Sequence, residues 1–137
     1  MSNRPGPLLA GVAALVVLGT VAAGLFVVGS PAAERRRQGD QTRVAHLGQI
    51  ARAVNLHWTR HRAIPATLGD IVRDGQAALP QEDPVTGAGY EYRVIDARRF
   101  ELCAHFEGAS ESAATGTFWH HRAGRQCFRL EVEDVHP

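Results

Sequence analysis

The sequence predicts an α+β protein: an N-terminal transmembrane helix, then an amphipathic helix packed on a small antiparallel sheet. Three observations lead there. Leu8 to Gly29 is an apolar run in which Thr20 is the one polar side chain. Val44, Leu47, Ile50/Ala51, Val54 and Trp58 recur at steps of three and four, which draws one face of a helix. From Tyr90 to Phe106 the pattern changes to alternation, the period of a strand.

At about 1.5 Å of rise per residue, the first run spans roughly 30 Å, the thickness of a bilayer's hydrocarbon. Residues 1–7 are then a short tail and 8–29 the anchor. A secretory signal has a shorter apolar core followed by a small-residue cleavage site. Here the exit Gly29-Ser30-Pro31 would set proline just after the cut, so a retained anchor is expected. Glycines at 11, 19 and 24 would let two such helices approach closely, although Ala and Gly are simply abundant in this run. Residues 30–39 read as a polar juxtamembrane linker, with Gly39 at the join as a kink or hinge.

The domain proper is expected over 40–132. Its amphipathic helix covers about 40–61, with Arg43, Gln49, Arg52, Asn55 and Arg60 on the outer face. It ends near Arg62, because the residue before Pro65 disfavours helix. Thr67 is a candidate N-cap with Asp70 in a loose capping box, opening a short helix Leu68–Arg73 that Gly75 stops. Asp83-Pro84 and Thr86-Gly87 mark turns within the connection Ala77–Gly89. The first strand, Tyr90–Ile95, puts Tyr90, Tyr92 and Val94 on one face, and Asp96–Arg99 turns the chain. The return strand shows Phe100, Leu102, Ala104 and Phe106 on one side and Glu101, Cys103 and His105 on the other. Gly108–Gly116 reads as a loop. Phe118-Trp119 is expected to begin a last hairpin that turns at Ala123-Gly124-Arg125 and closes with Gln126–Val132. Residues 133–137 form a tail.

The 137 residues suffice for one small domain beyond the anchor. A net charge of +1 gives no basis for a nucleic-acid partner. All fifteen basic residues are arginine, which reads as compositional habit. The two cysteines, Cys103 and Cys127, form an even pair and read as one disulfide in an oxidising compartment. If their strands are antiparallel neighbours the sulfurs meet, and the closed loop contributes on the order of 3 kcal/mol.

The order of anchor, long amphipathic helix, loop-helix, Asp-Pro turn and hairpin resembles the pilin fold, and most closely the major pseudopilins of type II secretion. His61-Arg62-Ala63-Ile64-Pro65-Ala66-Thr67-Leu68 is similar to the Gly-x-Tyr-Pro-Thr-Thr region that ends their long helix. Asp83-Pro84-Val85-Thr86-Gly87-Ala88-Gly89-Tyr90-Glu91-Tyr92 resembles their Asp-Pro-Trp-Gly-Asn-Pro-Tyr-x-Tyr motif with one extra residue in the turn. The likeness covers roughly residues 40 to 95. The chain departs from the family where prepilins carry Gly-Phe-Thr-Leu-x-Glu, and it lacks their aspartate-rich calcium loop, which speaks against prepilin processing and filament assembly. Phe100-Glu101-Leu102-Cys103 together with Phe118 to Phe128 is similar to a C-terminal module of many bacterial membrane proteins.

The resemblance implies a single-pass protein of the bacterial inner membrane with its domain on the periplasmic side. Arg35, Arg36 and Arg37 follow the anchor and oppose that orientation by the positive-inside rule; the cysteine pair favours it. Those arginines read as a solvated segment beside the lipid headgroups.

No catalytic set emerges. Ser110 and Ser112 lack a nucleophile elbow, and Glu101 with Glu131, which would face each other across the sheet, are carboxylates of a kind that surface strands carry routinely. The expected function is therefore non-enzymatic, without a cofactor: a structural or protein-interaction component of the envelope, with Trp119 as a partner contact. The alternative is a metal- or ligand-binding sensor. His57 and His61 are four apart on a helix, a spacing that zinc sites use, and His120 and His121 would add ligands if the last hairpin packs over the helix end. Trp58 stands where a metalloprotease would need its glutamate, so hydrolysis is not expected.

Overall fold

A computed structural model of the chain describes residues 6–28, 30–75, 78–110 and 118–133. The tails 1–5 and 134–137, Gly29 at the end of the expected anchor, Ala77, and most of the expected loop, Ser112 included, lie outside the described residues. The fold is α+β: a long N-terminal helical part and a small three-stranded antiparallel sheet. The chain divides into two units, residues 1–35 and 36–137.

In the first unit, α1 runs over Pro7–Val28, 22 residues without a charge. Such a helix is long and apolar enough to cross a membrane. The Thr20 hydroxyl donates to the carbonyls of Val16 and Val17 at 3.0 and 2.9 Å, so its one polar side chain is satisfied within the helix. The helix α2 spans Pro31–His61. Proline suits a first helical position, and the Ala33 amide donates to the Ser30 hydroxyl at 3.2 Å. Residues 31–39, expected as a linker, are therefore helical. Gly39 is no hinge. It is buried, and a Cβ there would come within 3.4 Å of the Val85 side chain.

In the second unit, α2 buries Leu47, Ile50, Val54 and Trp58, the stripe anticipated from the spacing. The helix closes where Arg62 takes a positive φ of 53° and its amide donates to the Trp58 carbonyl at 2.7 Å, a left-handed helix end. The short α3, Leu68–Arg73, is capped as expected: the Thr67 amide and hydroxyl both donate to Asp70, at 2.8 and 2.9 Å. Leu68 and Ile71 join the core, and Gly75 follows with a φ of 74°.

The sheet consists of β1 (Glu91–Val94), β2 (Arg99–Phe106) and β3 (Gly124–Glu131), in that order. At the β1–β2 turn the Asp96 carboxylate accepts the amides of Arg98 and Arg99, each at 2.9 Å. The central strand β2 sends Phe100, Leu102, Ala104 and Phe106 into the core, which Phe128, Val132 and Tyr90 complete.

Two expectations fail here. Phe118-Trp119 begins no strand; β3 pairs directly with β2, with Phe106 opposite Gly124 and Arg99 opposite Glu131. Ser110 and His121 are instead tied to each other, the Ser110 amide donating to the His121 carbonyl at 2.9 Å. Glu101 and Glu131 do not face each other either: the register sets Glu101 opposite Arg129. Glu101 is buried, and it accepts from Arg93 at 2.7 Å and Arg129 at 3.2 Å. Those two hydrogen bonds hold its carboxyl below the ordinary range.

Candidate functional site

Cys103 and Cys127 stand opposite each other in the β2–β3 register and are joined as a disulfide. The bond crosses the sheet on the face away from the phenylalanine core. Glu101 lies close to both sulfurs, yet this trio is not a cation site: the sulfurs are bonded to each other and the carboxylate to two arginines.

The four histidines expected to act together fall into two places. His120 Nδ1 shares a hydrogen bond with the Ser110 hydroxyl at 2.8 Å. His121 is buried, stacks on the Phe106 ring with centroids 3.8 Å apart, and donates from Nδ1 to the Trp119 carbonyl at 3.0 Å. Both are occupied in tying the segment before β3, because no hairpin carries them to the helix end. The Ser110–His120 contact has the separation of a nucleophile–base pair. The same hydroxyl, however, donates to the His121 carbonyl at 3.2 Å and accepts the His121 amide at 3.1 Å, which makes it a loop tie.

His57 and His61 do converge. One turn apart on α2, their rings lie 4.3 Å apart at an angle of 31°. Their neighbour is Asp74, the C-cap of α3, which has no place in any motif of the sequence. Its Oδ2 lies 2.9 Å from His57 Nδ1 and 3.0 Å from His61 Nε2. Only the fold-back of α3 onto the end of α2 brings it there.

No family model, curated protein or solved structure matches the chain. Its chemistry is therefore read from its own residues.

A buried ion-pair cluster lies nearer the middle of α2. Arg43, expected on the outer face, is 1 % exposed. Its Nε and Nη2 donate to the two oxygens of Asp83, the latter at 3.2 Å, and Nη1 donates to Asp40 at 2.7 Å. Asp40 also accepts the amides of Glu107 and Gly108 at 2.9 and 2.8 Å. Asp83 accepts those of Val85 and Thr86 at 2.8 and 2.9 Å, closing the Asp-Pro turn. Burial alone would push the Asp83 carboxyl up; the Arg43 hydrogen bond and the two amides more than reverse it, to about 2. The Asp83 hydrogen bond in turn raises the Arg43 guanidinium well above its usual value, against burial. This cluster is a structural lock joining α2, the 83–89 turn and the end of β2. Nothing in it is open to a substrate.

Trp119, expected as a partner contact, packs on Phe128 with ring centroids 5.0 Å apart and is partly buried against the core. Its neighbour Phe118 is the exposed one, at 57 %. Along the outer face of α2, Arg52, Leu56, Arg60 and Leu79 line a groove of about 420 Å³.

Proposed function

We propose that this chain is a single-pass membrane protein of the bacterial envelope whose pilin-like α+β domain lies outside the cytoplasm and acts by protein contact, without catalysis. The observation that carries this reading is the pairing of an uncharged apolar helix of 22 residues with a separate small unit closed by a disulfide. The helix has the length and composition of a membrane span. A disulfide persists in an oxidising compartment, and this one favours export of the domain over the orientation suggested by Arg35–Arg37. The order of long helix, loop-helix, Asp-Pro turn and antiparallel strands supports the pilin-like reading.

Contact with a partner falls to exposed apolar side chains of the domain, Phe118 first among them. A photoreactive side chain placed at 118 in cells should give a discrete protein adduct, and deleting residues 8–29 should abolish it by releasing the domain. Absence of any adduct, or an adduct indifferent to the deletion, would remove the tethered-contact reading.

A further inference from the structure

We propose that His57, His61 and Asp74 form a binding site for a divalent transition-metal ion of the zinc type. The donors are His57 Nδ1, His61 Nε2 and an Asp74 carboxylate oxygen, all within 4.8 Å of one another. Two imidazoles one helical turn apart and a carboxylate from a second element make a three-ligand set that leaves a fourth position for water.

Hydrogen bonding alone does not account for this arrangement. His57 is 9 % exposed, and its Nδ1 has no hydrogen-bond partner among the described residues although Asp74 Oδ2 lies 2.9 Å away. The two atoms are near but not aligned for a proton between them. A buried polar atom left in this state carries an uncompensated desolvation cost. His57 Nδ1 and His61 Nε2 both lie within 3.0 Å of the same Asp74 oxygen, a gathering of three donor atoms that a shared cation would satisfy.

The donor types narrow the ion. Calcium and magnesium prefer oxygen ligands throughout, whereas imidazole nitrogens suit zinc, copper and nickel. Access is available: the side chains of His61 and Asp74 are 48 % and 34 % exposed, while His57 closes the inner wall. A bound ion would staple the C-terminal end of α2 to the end of α3. Occupancy would then stabilise the intervening turn at Ile64-Pro65 and α3 itself.

The test is calorimetric titration of the full-length chain in detergent, disulfide intact, with Zn2+ alone. The wild-type chain should take up one Zn2+ per chain with a micromolar Kd. His61→Ala and Asp74→Asn, both changes at accessible positions, should each weaken it by about tenfold or more. His120→Ala, whose ring contacts Ser110 and not this cluster, should leave binding unchanged. Zn2+ should also raise Tm for the wild type and not for Asp74→Asn. Failure to bind one equivalent overturns the site, as does binding that survives both His61→Ala and Asp74→Asn or is lost with His120→Ala.

Discussion

Arg43 and Asp83 are 40 residues apart in the chain and face each other in the interior, Arg43 Nη2 donating to Asp83 Oδ1 at 3.2 Å and Nε to Oδ2. The pair fixes α2 against the turn that begins the sheet half of the domain. Asp40 supplies the second carboxylate and Glu107, 3.5 Å from Nη2, a more exposed third. A guanidinium offers five donors in a planar fork, so it can grip Asp83 with two of them while reaching Asp40 and Glu107 with others, a bidentate geometry that a lysine cannot reproduce.

Removing the cation should be costly, because two buried carboxylates would then lose their counter-charge. Arg43→Met is expected to destabilise the protein by about 3–5 kcal/mol in urea unfolding. Adding Asp83→Asn should recover part of that loss, since the pair acts as a unit. An Arg43→Met chain as stable as the wild type would show that the lock is dispensable.

The same pair sets an acid limit. The folded-state pKa of Asp83, about 2, lies below its ordinary 3.8. Its stabilisation is therefore fully present above about pH 4 and is lost as pH falls toward 2, amounting to on the order of 2 kcal/mol. Urea midpoints measured across that window should fall for the wild type and less steeply for Asp83→Asn. Parallel profiles would contradict the assignment.

The cross-strand disulfide closes a loop with a sequence separation of 24. Replacing both Cys103 and Cys127 by alanine should cost about 3 kcal/mol, mostly through the freer unfolded chain. For a domain with a core this small, that is a large share of its stability. Equal thermal unfolding of oxidised and reduced protein would refute this.

Trp119 and Phe118 should separate structure from contact. Trp119→Ala removes the ring packed on Phe128 and should destabilise by about 2 kcal/mol. Phe118→Ala, at an exposed ring, should stay within about 0.5 kcal/mol. Comparable losses of stability from the two would mean that Phe118 belongs to the core.

Much of the fold was legible because it obeys simple periods. The stripe Leu47, Ile50, Val54, Trp58 and the alternation of Phe100, Leu102, Ala104 and Phe106 are the two faces that meet in the core. Thr67 and Asp70 marked the start of α3 through a local hydrogen bond that needs no tertiary context. Arg43 was misplaced for a chemical reason. Positions 40, 43, 47, 50 and 54 continue one series of threes and fours, and charge alone put Arg43 on the outer face. An Asp-x-x-Arg on a helix stripe, with a spare carboxylate at an Asp-Pro turn, is the signal that would have found it. Gly39 misled similarly: glycine weakens a helix by about 1 kcal/mol but does not end it, and here Gly39 is buried within α2 beside Val85.

The cluster of His57, His61 and Asp74 was half legible. His57 and His61 share a face by spacing alone, whereas Asp74 reaches them only through the path of α3. His120 and His121 were assigned to the same place on the assumption of a second hairpin. With β3 paired directly to β2, the segment before it closes on Ser110 and Phe106 instead.

The central claim, a tethered domain outside the cytoplasm closed by Cys103–Cys127, is tested most directly by thiol labelling of intact cells with a membrane-impermeant maleimide. The account predicts no labelling until a mild external reductant is added, and then labelling of both cysteines without lysis. Labelling that needs lysis and no reductant would place the domain in the cytoplasm with free thiols, and would contradict it.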